Sequence, residues 1–420
     1  MNNIKKYPFS ELYEMSSGIS TTKDQAGHGY PFVSFGTVFN NYFLPEQLPD
    51  LMDTSEKEQD IYSIKEGDIL ITRTSETIDE LAMSCVATKN YPKATYSGFT
   101  KRLRPKTTGI AYHKYLAFYL RGYLFRKAVT NNAFMTLRAS FNEDIFSFLN
   151  LYLPEYQEQV KIGDMLYNME QKIRINQKIC SELEAMAKTL YDYWFVQFDF
   201  PDENGCPYRT SGGEMVWNAQ LKREIPKGWD CVSLEQYITI GNTSVDPTSL
   251  SNTIMEHYSI PAYDEGGYPA FESAETIQSG KYRVHKDAIL VSKLNPQFKR
   301  IWDPYCITEN AICSTEFMVY QATQKKIRPF CFALVNSDGF CQHMISKAIS
   351  STGSRKRIQP DVSLTYQFAA PDTESLLLLF SEIYQPIMDK LKKTRLENHE
   401  LTKLRNWLLP MLMNGQAKVE

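Results

Sequence analysis

The most regular pattern of apolar positions begins after Pro154 and alternates steps of four and three residues. Its members are Ile162, Leu166, Met169, Ile173, Asn176, Cys180, Leu183, Ala187, Leu190 and Trp194. A repeat of this period is typical of a helix that packs against another helix. A second, less regular series comprises Leu376, Phe380, Ile383, Ile387, Leu391, Thr394, Asn398, Leu401, Leu404 and Leu408. The sequence therefore predicts two long helices, over residues 154–197 and 371–416.

Capping residues lie at the ends of both predicted helices. Pro154 and Pro371 suit the first helical position, where the missing N–H costs nothing, and acidic residues follow each of them. Asn414 and Gly415 suit a C-terminal cap. Pro386 predicts a kink within the second helix.

Two apolar seams of similar length favour helices that pack on each other over helices that pack only on their own domains. Asn176 and Asn398 lie on or near these seams, where a polar residue fixes the register of a helix pair. The first helix leads away from one globular unit and the second leaves the other unit, so a paired arrangement must be antiparallel. About 40 helical residues at ~1.5 Å each give a rod of about 60 Å.

Three short segments recur at a nearly constant distance along the chain. KEGDILITR (65–73) resembles HKDAILVSK (285–293), ATYSGF (94–99) resembles AICSTEF (311–317), and LPEYQEQ (153–159) resembles APDTESL (370–376). The offsets are 220 from Gly67 to Asp287, 217 from Ser97 to Ser314, and 217 from Pro154 to Pro371. The sequence therefore predicts a diverged duplication in which a globular unit followed by a long helix occurs twice.

The globular units mix short apolar runs with helical stretches. Residues 68–72 and 288–292 are typical of strands, and residues 112–129 and 342–349 of helices. The predicted fold class is α/β or α+β for two globular domains in tandem, at 1–153 and 227–370, joined and spaced by the antiparallel coiled coil. Residues 198–226 are rich in Pro, Gly and polar residues and predict a linker with little regular structure.

Charge is segregated along the chain, although the net charge is only −3. Residues 81–142 contain no Asp or Glu but eleven Lys or Arg, and residues 317–360 contain seven Lys or Arg with Asp338 as their one acidic residue. Two basic stretches in equivalent places predict a basic face for a polyanion in each unit, the alternative being a solvated surface. A rod of about 60 Å would exceed one turn of DNA, about 34–36 Å, and would hold two DNA-reading units apart.

The usual patterns of catalytic and metal sites were sought as well. The eight cysteines include no CxxC pair and the six histidines show no metal-ligand spacing, so reduced thiols in a cytoplasmic protein are expected. No apolar run approaches the roughly 20 residues of a membrane span, and no phosphate-binding GxxxxGK[ST] motif occurs. Asn295-Pro296-Gln297-Phe298 comes close to the Asn-Pro-Pro-Tyr/Phe loop of an adenine methyltransferase but lacks its second proline and a Gly-rich partner loop. A polar turn is the favoured interpretation, and no catalytic or metal residue is assigned.

Three segments carry a resemblance to a known family. They are LPEYQEQVKIGDMLYNMEQKIRINQKICSELEAMAKTLYDYWFVQFDF (153–200), GGEMVWNAQLKREIPKGW (212–229) and ENHELTKLRNWLLPMLMNGQ (397–416). These segments resemble the central and distal helical regions of the specificity (S) subunits of type I restriction–modification systems. The resemblance implies that the globular units are target recognition domains, each reading one part of a split double-stranded DNA target.

The same resemblance implies a set of partners. The paired helices would set the spacing of the two DNA contacts and dock two methyltransferase subunits, to which endonuclease/translocase restriction subunits can add. The methyltransferase subunits would modify adenine with S-adenosylmethionine that they hold themselves. No cofactor and no membrane partner are therefore expected for this chain.

Candidate DNA contacts are the Arg, Lys, Asn, Gln and hydroxyl residues that follow the predicted strands, because these side chains bind phosphates and base edges. In the first unit they are Arg73, Thr74, Ser75, Lys101, Arg102, Arg104 and Arg138. In the second unit, by the repeat, they are Lys293, Asn295, Gln297, Lys299 and Arg300. The loop 351–357 adds Ser354, Arg355, Lys356 and Arg357. For each of them the alternative is an ordinary surface residue.

Two other functions stay open at this point besides a non-catalytic DNA specificity subunit. A stand-alone adenine-specific DNA methyltransferase would depend on residues 295–298 and would act without a partner. A protein-only coiled-coil scaffold would show no salt-dependent DNA binding.

Overall fold

The computed structural model describes residues 4–77, 80–132, 139–250, 252–352 and 355–419. The chain forms two compact units: unit 1 contains Met1–Arg174 and Glu400–Glu420, and unit 2 contains Ile175–His399. Both unit boundaries fall inside the long helices α7 (Tyr156–Tyr191) and α12 (Glu374–Met413). Each unit therefore includes part of both helices. None of the helices within the described ranges has the length and apolar character needed to cross a membrane.

Unit 1 is a mixed α/β domain built on an antiparallel sheet. Its strands are β1 (Lys5–Pro8), β2 (Tyr13–Ser17), β3 (Ala26–Val33), β4 (Asp50–Met52), β5 (Ile69–Thr72), β6 (Thr74–Ser75), β7 (Ser84–Val86), β8 (Thr95–Tyr96), β9 (Thr100–Pro105), β10 (Ala139–Ser140) and β11 (Asn150–Leu153). Its short helices are α1 (Phe9–Leu12), α2 (Phe35–Asn40), α3 (Glu56–Ile61), α4 (His113–Tyr119), α5 (Tyr123–Asn132) and α6 (Glu143–Phe148). The main sheet has the order β2-β9-β5-β7, and a second sheet has the order β4-β3-β8. All four residues of β5 are buried, as is typical of a strand that is covered on both faces.

Unit 2 has the same kind of architecture. Its strands are β12 (Met215–Asn218), β13 (Arg223–Pro226), β14 (Trp229–Ser233), β15 (Ile238–Ile240), β16 (Ser244–Val245), β17 (Ile254–Tyr258), β18 (Ala270–Ser273), β19 (Lys281–Arg283), β20 (Ala288–Ser292), β21 (Ile301–Trp302), β22 (Ala311–Ser314), β23 (Phe317–Ala322), β24 (Ile349–Thr352), β25 (Arg355–Arg357) and β26 (Gln367–Pro371). Its short helices are α8 (Ile260–Gly266), α9 (Arg328–Val335), α10 (Asp338–Lys347) and α11 (Pro360–Leu364). The two main sheets have the orders β15-β23-β20-β21 and β16-β19-β22-β17-β18.

The sheet topology confirms the internal duplication. The order β15-β23-β20-β21 of unit 2 repeats the order β2-β9-β5-β7 of unit 1. Each unit also contains one parallel pair, β3 with β8 and β17 with β22. The strand before each long helix pairs with the entry strand of its unit, β11 with β1 and β26 with β14. Strands β9 and β23 begin at residues 100 and 317 and end at residues 105 and 322, an offset of 217 at both ends.

The helix pair is antiparallel within unit 2, as predicted. Asn176 Nδ2 donates to Glu397 Oε2 at 2.8 Å, and Glu184 further along α7 forms an ion pair with Arg395. Residue numbers thus rise on α7 as they fall on α12. Asn176 is buried, as expected for a polar residue in a helix seam.

The helix segments of unit 1 pack on the domain core. Ile162 and Leu166 of α7 share one apolar cluster with Leu412 of α12. Glu170 of α7 forms an ion pair with Arg405 of α12, and both side chains are largely buried. This pair fixes the register of the two segments inside unit 1.

The predicted seam is confirmed in α7 but is partly wrong in α12. Nine of the ten predicted seam residues lie on α7, and the tenth, Trp194, lies on the π-helical turn Asp192–Val196 that follows it; all ten are buried or half-buried. On α12, however, Ile383 and Leu404 are exposed, and Tyr384 is buried beside the first of them. An α-helix with 3.6 residues per turn drifts against a repeat of 3.5, so the buried face moves by about one position along a long helix.

Several predicted boundaries are corrected by the structure. Pro154 lies before α7, and Pro371 is the last residue of β26. Pro386 lies inside α12 without ending it. Gly415 has a φ of 70°, and the Gln416 N–H donates to the Met411 carbonyl at 2.8 Å, which confirms the predicted C-terminal cap.

The short elements were also less regular than expected. The linker contains a hairpin, since β12 pairs with β13. The helix predicted over 112–129 is divided into α4 and α5 around Gly122, and residue 349 begins β24 and does not end a helix. Single turns and hairpins give too short a periodic signal to be separated from coil or from longer helices.

Candidate nucleic-acid interface

Arg73 follows a buried strand of unit 1, and its main chain is held from both sides. Its N–H donates to the Phe99 carbonyl at 2.9 Å, and its carbonyl accepts from the Phe141 N–H at 2.7 Å. Its side chain is exposed. A fixed backbone therefore presents a cation to solvent at the end of β5.

Lys293 is held in the same way in unit 2. Its N–H donates to the Glu316 carbonyl at 2.9 Å, and its carbonyl accepts from the Ile358 N–H at 3.1 Å. These partners lie 217 residues after Phe99 and Phe141, and Lys293 lies 220 residues after Arg73, which are the offsets of the duplication.

We call these two places the strand-end sites. That of unit 1 comprises Arg73, Phe99, Lys101 and Phe141, and that of unit 2 comprises Lys293, Glu316, Ile358 and the strand β25. Two predicted DNA contacts, Arg73 and Lys293, thus occupy equivalent positions in the two units.

The turn beside each strand-end site is also conserved in geometry between the units. Ser97 Oγ accepts from the Phe99 N–H at 3.2 Å, and Ser314 Oγ accepts from the Glu316 N–H at 3.3 Å. The residue that the turn presents differs in chemistry, being an aromatic ring in unit 1 and a carboxylate in unit 2. The duplication has therefore kept the scaffold while the side chains diverged.

In unit 1 the strand-end site brings two cations together. Lys101 Nζ donates to Ser17 Oγ at 2.8 Å. Partial burial and the neighbouring charge of Arg73 lower the pKa of Lys101, while Glu143 acts weakly in the opposite direction. A bound anion would relieve this repulsion between like charges.

In unit 2 an acidic side chain is present among the cations. Glu316 accepts two hydrogen bonds from Arg357, at 3.1 Å from Nε and 2.7 Å from Nη2. These hydrogen bonds, together with the charges of Arg357, Lys293 and Arg355, lower the pKa of Glu316. Arg357 is thus oriented by a carboxylate, whereas the side chains of Arg355 and Lys356 are exposed.

Asn295 ties strand β25 to the end of β20. Its Oδ1 accepts from the Lys356 N–H at 2.9 Å, and its own N–H donates to the Lys356 carbonyl at 2.7 Å. The Phe298 N–H closes a turn on the Asn295 carbonyl at 2.9 Å. Residues 295–298 therefore form the polar turn that the sequence favoured.

Arg102 and Arg104 are held inside unit 1. Arg104 forms a bidentate ion pair with Asp68, with Nε–Oδ1 and Nη2–Oδ2 distances of 2.8 and 2.6 Å, and the Asp68 carboxylate is fully buried. Arg102 is buried and donates to the Ser63 carbonyl at 2.6 Å. Their partners give both guanidinium groups a structural role, which makes them weaker candidates for DNA contact than Arg73.

The remaining candidate DNA contacts also include both internally bound and exposed side chains. In unit 2, Arg300 pairs with Asp264 at 2.7 Å and Lys299 donates to the Asn336 carbonyl, whereas Gln297 is exposed. In unit 1, Thr74 and Ser75 form β6, which pairs with β10, and Ser75 is buried. Arg138 and Ser354 lie outside the described residues.

Several cations of the basic stretch of unit 1 are bound inside the domain. Arg121 donates to four main-chain carbonyls, those of residues 38, 39, 41 and 84, and Lys114 pairs with Asp164 at 2.8 Å. Both side chains are therefore bound by partners within the domain. A local absence of acidic residues in sequence is therefore a weaker signal than the position of each cation in the fold.

Two exposed aromatic residues were missed as candidate contacts. Phe99 is 65% exposed and Phe298 is 55% exposed, and the Arg300 guanidinium lies 5.2 Å from the centroid of the Phe298 ring. Each aromatic precedes basic residues, Lys101-Arg102 in one case and Lys299-Arg300 in the other. That combination of an aromatic in a turn with cations nearby was the signal available in the sequence.

Within the described ranges, His, Cys, Asp and Glu side chains form no group of three that could hold a metal ion. The eight cysteines are free thiols, and burial raises the pKa of Cys85 to about 12.

The chain is similar in sequence to known proteins of one family. The family model for the type I restriction modification DNA specificity domain matches residues 2–185. The chain is 22% identical over 422 residues to the type I restriction enzyme MjaIX specificity subunit of Methanocaldococcus jannaschii, covering 95% of this chain and 86% of that protein. It is 24% identical over 282 residues to the HindI specificity subunit of Haemophilus influenzae, covering 64% of this chain and 54% of that protein.

The fold is shared with a solved structure as well. A crystal structure of the S subunit of a type I restriction–modification system from M. genitalium matches with a TM-score of 0.67 at 12% identity, over 98% of this chain and 96% of that one. At that identity the match concerns the fold. Family model, full-length relative and fold agree with the resemblance carried by the helical segments: the model of the DNA specificity domain matches residues 2–185, and the chain over nearly its whole length is similar to specificity (S) subunits of type I restriction–modification systems.

Proposed function

We propose that each unit reads one part of a two-part DNA target, and that the strand-end sites are where the two readings are made. The observation that carries this proposal is the identical main-chain fixation of Arg73 and Lys293, each at the end of the buried strand of its unit. Cations on a fixed backbone suit phosphate anchoring, which sets the register of a protein on DNA. Arg355 and Lys356 extend the cationic surface in unit 2.

The proposal includes the partners of the complex. Two methyltransferase subunits dock on the paired helices, hold S-adenosylmethionine and modify adenine, and restriction subunits join them. Exposed apolar side chains on α12 support docking there, since Trp407 is 63% exposed and Leu404 42% exposed. A cytoplasmic location and a spacing role for the helices belong to the same proposal.

The test measures how the DNA affinity of the chain assembled with its methyltransferase partner depends on salt. Each phosphate contact contributes about 0.9 to the slope of log K against log salt concentration. We expect Arg73→Ala and Lys293→Ala each to reduce the slope by about one. Lys106→Ala is the matched control, because Lys106 is an exposed cation just beyond the other end of β9.

A second measurement separates the competing functions. The isolated chain with S-adenosylmethionine should methylate nothing, and the assembled complex should methylate adenine within one target sequence. Methylation by the chain alone would favour an enzyme acting through residues 295–298. Absence of salt-dependent DNA binding by the complex would favour a protein-only scaffold.

A further inference from the structure

Phe99 stands on a turn that the surrounding main chain holds in place. The Gly98 N–H donates to the Ile19 carbonyl at 2.7 Å, and the Thr100 N–H donates to the Ser97 carbonyl at 2.9 Å. The Phe99 N–H is bound by Ser97 Oγ. The backbone on both sides is therefore fixed, while the ring of Phe99 is 65% exposed.

Glycine is required for this close approach. A Cβ atom at Gly18 would lie 2.1 Å from the Ser97 carbonyl oxygen, so the neighbouring strand could not reach the turn with any other residue there. The main chain of the turn is consequently held in place within unit 1, so the Cα position of Phe99 is set before any ligand binds.

Two cationic residues lie next to Phe99 in the fold. The Phe99 carbonyl holds the N–H of Arg73, and Lys101 follows two residues later on β9. A large exposed aromatic beside two cations leaves apolar surface in water, and the charge of Arg73 is close enough to lower the pKa of Lys101. This combination is typical of surfaces that bind nucleic acid.

We propose that Phe99 is a specificity-determining residue that contacts the methyl group of a thymine in the half-site read by unit 1. The inference rests on the function proposed above, with Arg73 and Lys101 binding the phosphates beside that base. The thymine methyl is the apolar group that DNA presents in the major groove, and an apolar side chain distinguishes it from the other bases. If the Phe99 ring were inserted between two bases, its contacts alone would have to offset the free energy of unstacking that base step. Contact with a methyl group requires no distortion of the duplex.

The equivalent position predicts that unit 2 lacks this contact. Glu316 occupies the place of Phe99 on the equivalent turn and is bound to Arg357. A carboxylate that orients a guanidinium presents hydrogen-bonding groups and no apolar surface. Thymine-methyl sensitivity should therefore be confined to one half of the target.

The test uses the chain assembled with its methyltransferase partner and a duplex carrying the target found by methylation sequencing. Each thymine is replaced in turn by uracil, which lacks the methyl group. For the unsubstituted chain, one replacement in one half-site should weaken binding about fourfold, the effect of exposing one buried methyl group. Phe99→Ala should weaken binding to the thymine duplex by at least as much and should be insensitive to that same replacement, because the two changes remove one contact.

Tyr152→Ala is the matched control, because Tyr152 is 52% exposed and lies on β11, away from the strand-end site. It should leave both affinities unchanged. The inference would be overturned if Phe99→Ala bound the thymine duplex as tightly as the unsubstituted chain. It would also be overturned if the effects of Phe99→Ala and of every uracil replacement were additive. A half-site without thymine on either strand would also overturn it. Failure of the function proposed above is recognised separately, as a complex of unsubstituted chains that does not bind DNA sequence-specifically.

Discussion

The clearest prediction concerns Arg104, a candidate DNA contact that the structure places in an internal ion pair. Replacing Arg104 with alanine removes both hydrogen bonds to Asp68, whose carboxylate is completely buried. One hydrogen bond to Asp68 is retained, that from the Lys65 N–H at 2.7 Å. The substitution therefore leaves a buried negative charge that has lost its cation.

The size of the effect follows from the exposure of the two partners. Removing one partner of a buried ion pair costs roughly 3–5 kcal/mol. The Arg104 side chain is 25% exposed, so water can partly replace it, and we expect the lower end of that range, about 3 kcal/mol. Since 1.36 kcal/mol is a factor of ten, local opening of the sheet around β5 should become roughly a hundredfold more frequent.

Hydrogen–deuterium exchange of peptides that cover β5 and β9 measures this opening directly, without requiring the whole chain to unfold in one step. Arg73→Ala is the control, because that side chain is exposed and its loss should change stability by less than about 0.5 kcal/mol. The two variants should behave in opposite ways in DNA binding: Arg73→Ala changes the salt slope, whereas Arg104→Ala does not. Adding Asp68→Asn to Arg104→Ala should recover part of the lost protection, because a neutral amide leaves no charge unpaired.

One combination of results would contradict the structural role of Arg104. Unchanged exchange in Arg104→Ala, together with a salt slope lowered by about one, would make Arg104 a phosphate ligand. The assignment of Arg104 to the framework of unit 1 would then be wrong.

Three further predictions concern pH, charge and assembly. Burial lowers the pKa of His113, so the folded protein favours the neutral imidazole. This contribution to stability is complete above the unfolded pKa of about 6.5 and falls as the pH drops below it. The variant His113→Gln should therefore lose less of the stability of unit 1 between pH 7 and pH 5, as measured by hydrogen exchange. Glu316→Gln removes the carboxylate bound to Arg357, so it should make the salt slope of DNA binding steeper by about one, and an unchanged slope would place this pair outside the DNA interface. Trp407→Ala should weaken association with the methyltransferase partner by about 2 kcal/mol, measured by titration calorimetry, if the exposed indole is a central docking residue; equal affinity would move the docking surface elsewhere.

The large elements could be predicted from the sequence because their signals repeat. The seam of α7 and of the π-helical turn after it holds over ten positions, and the duplication appears at three separate places with nearly one offset. The equivalence of Arg73 and Lys293 followed from that offset, before any hydrogen bond was known. Repeated patterns of this kind can be recognised in a sequence without knowledge of the tertiary structure.

The roles of individual cations could not be predicted in the same way. Arg104 meets Asp68 because β9 lies beside β5, although the two residues are 36 positions apart in sequence. Arg121 meets its four carbonyl partners across separations of 37 to 83 positions. A basic residue whose charge is paired inside the fold is less available to DNA, and that pairing depends on which strands become neighbours. The exposure of Phe99 was hidden for a related reason, since apolar residues next to strands usually belong to the core.

The two strand-end sites have the same main-chain bonds and different side chains, and this has a consequence for the DNA target. Arg73 and Lys293 keep a cation at equivalent places, which suits contact with a phosphate that every sequence offers. The turn beside them holds Phe99 in one unit and Glu316 in the other, and these side chains have opposite preferences for the edge of a base. A palindromic target would require the two units to read the same bases. Shared phosphate anchoring with unlike base contacts therefore favours a target whose two halves differ in sequence, and methylation sequencing would contradict this if it returned a palindrome.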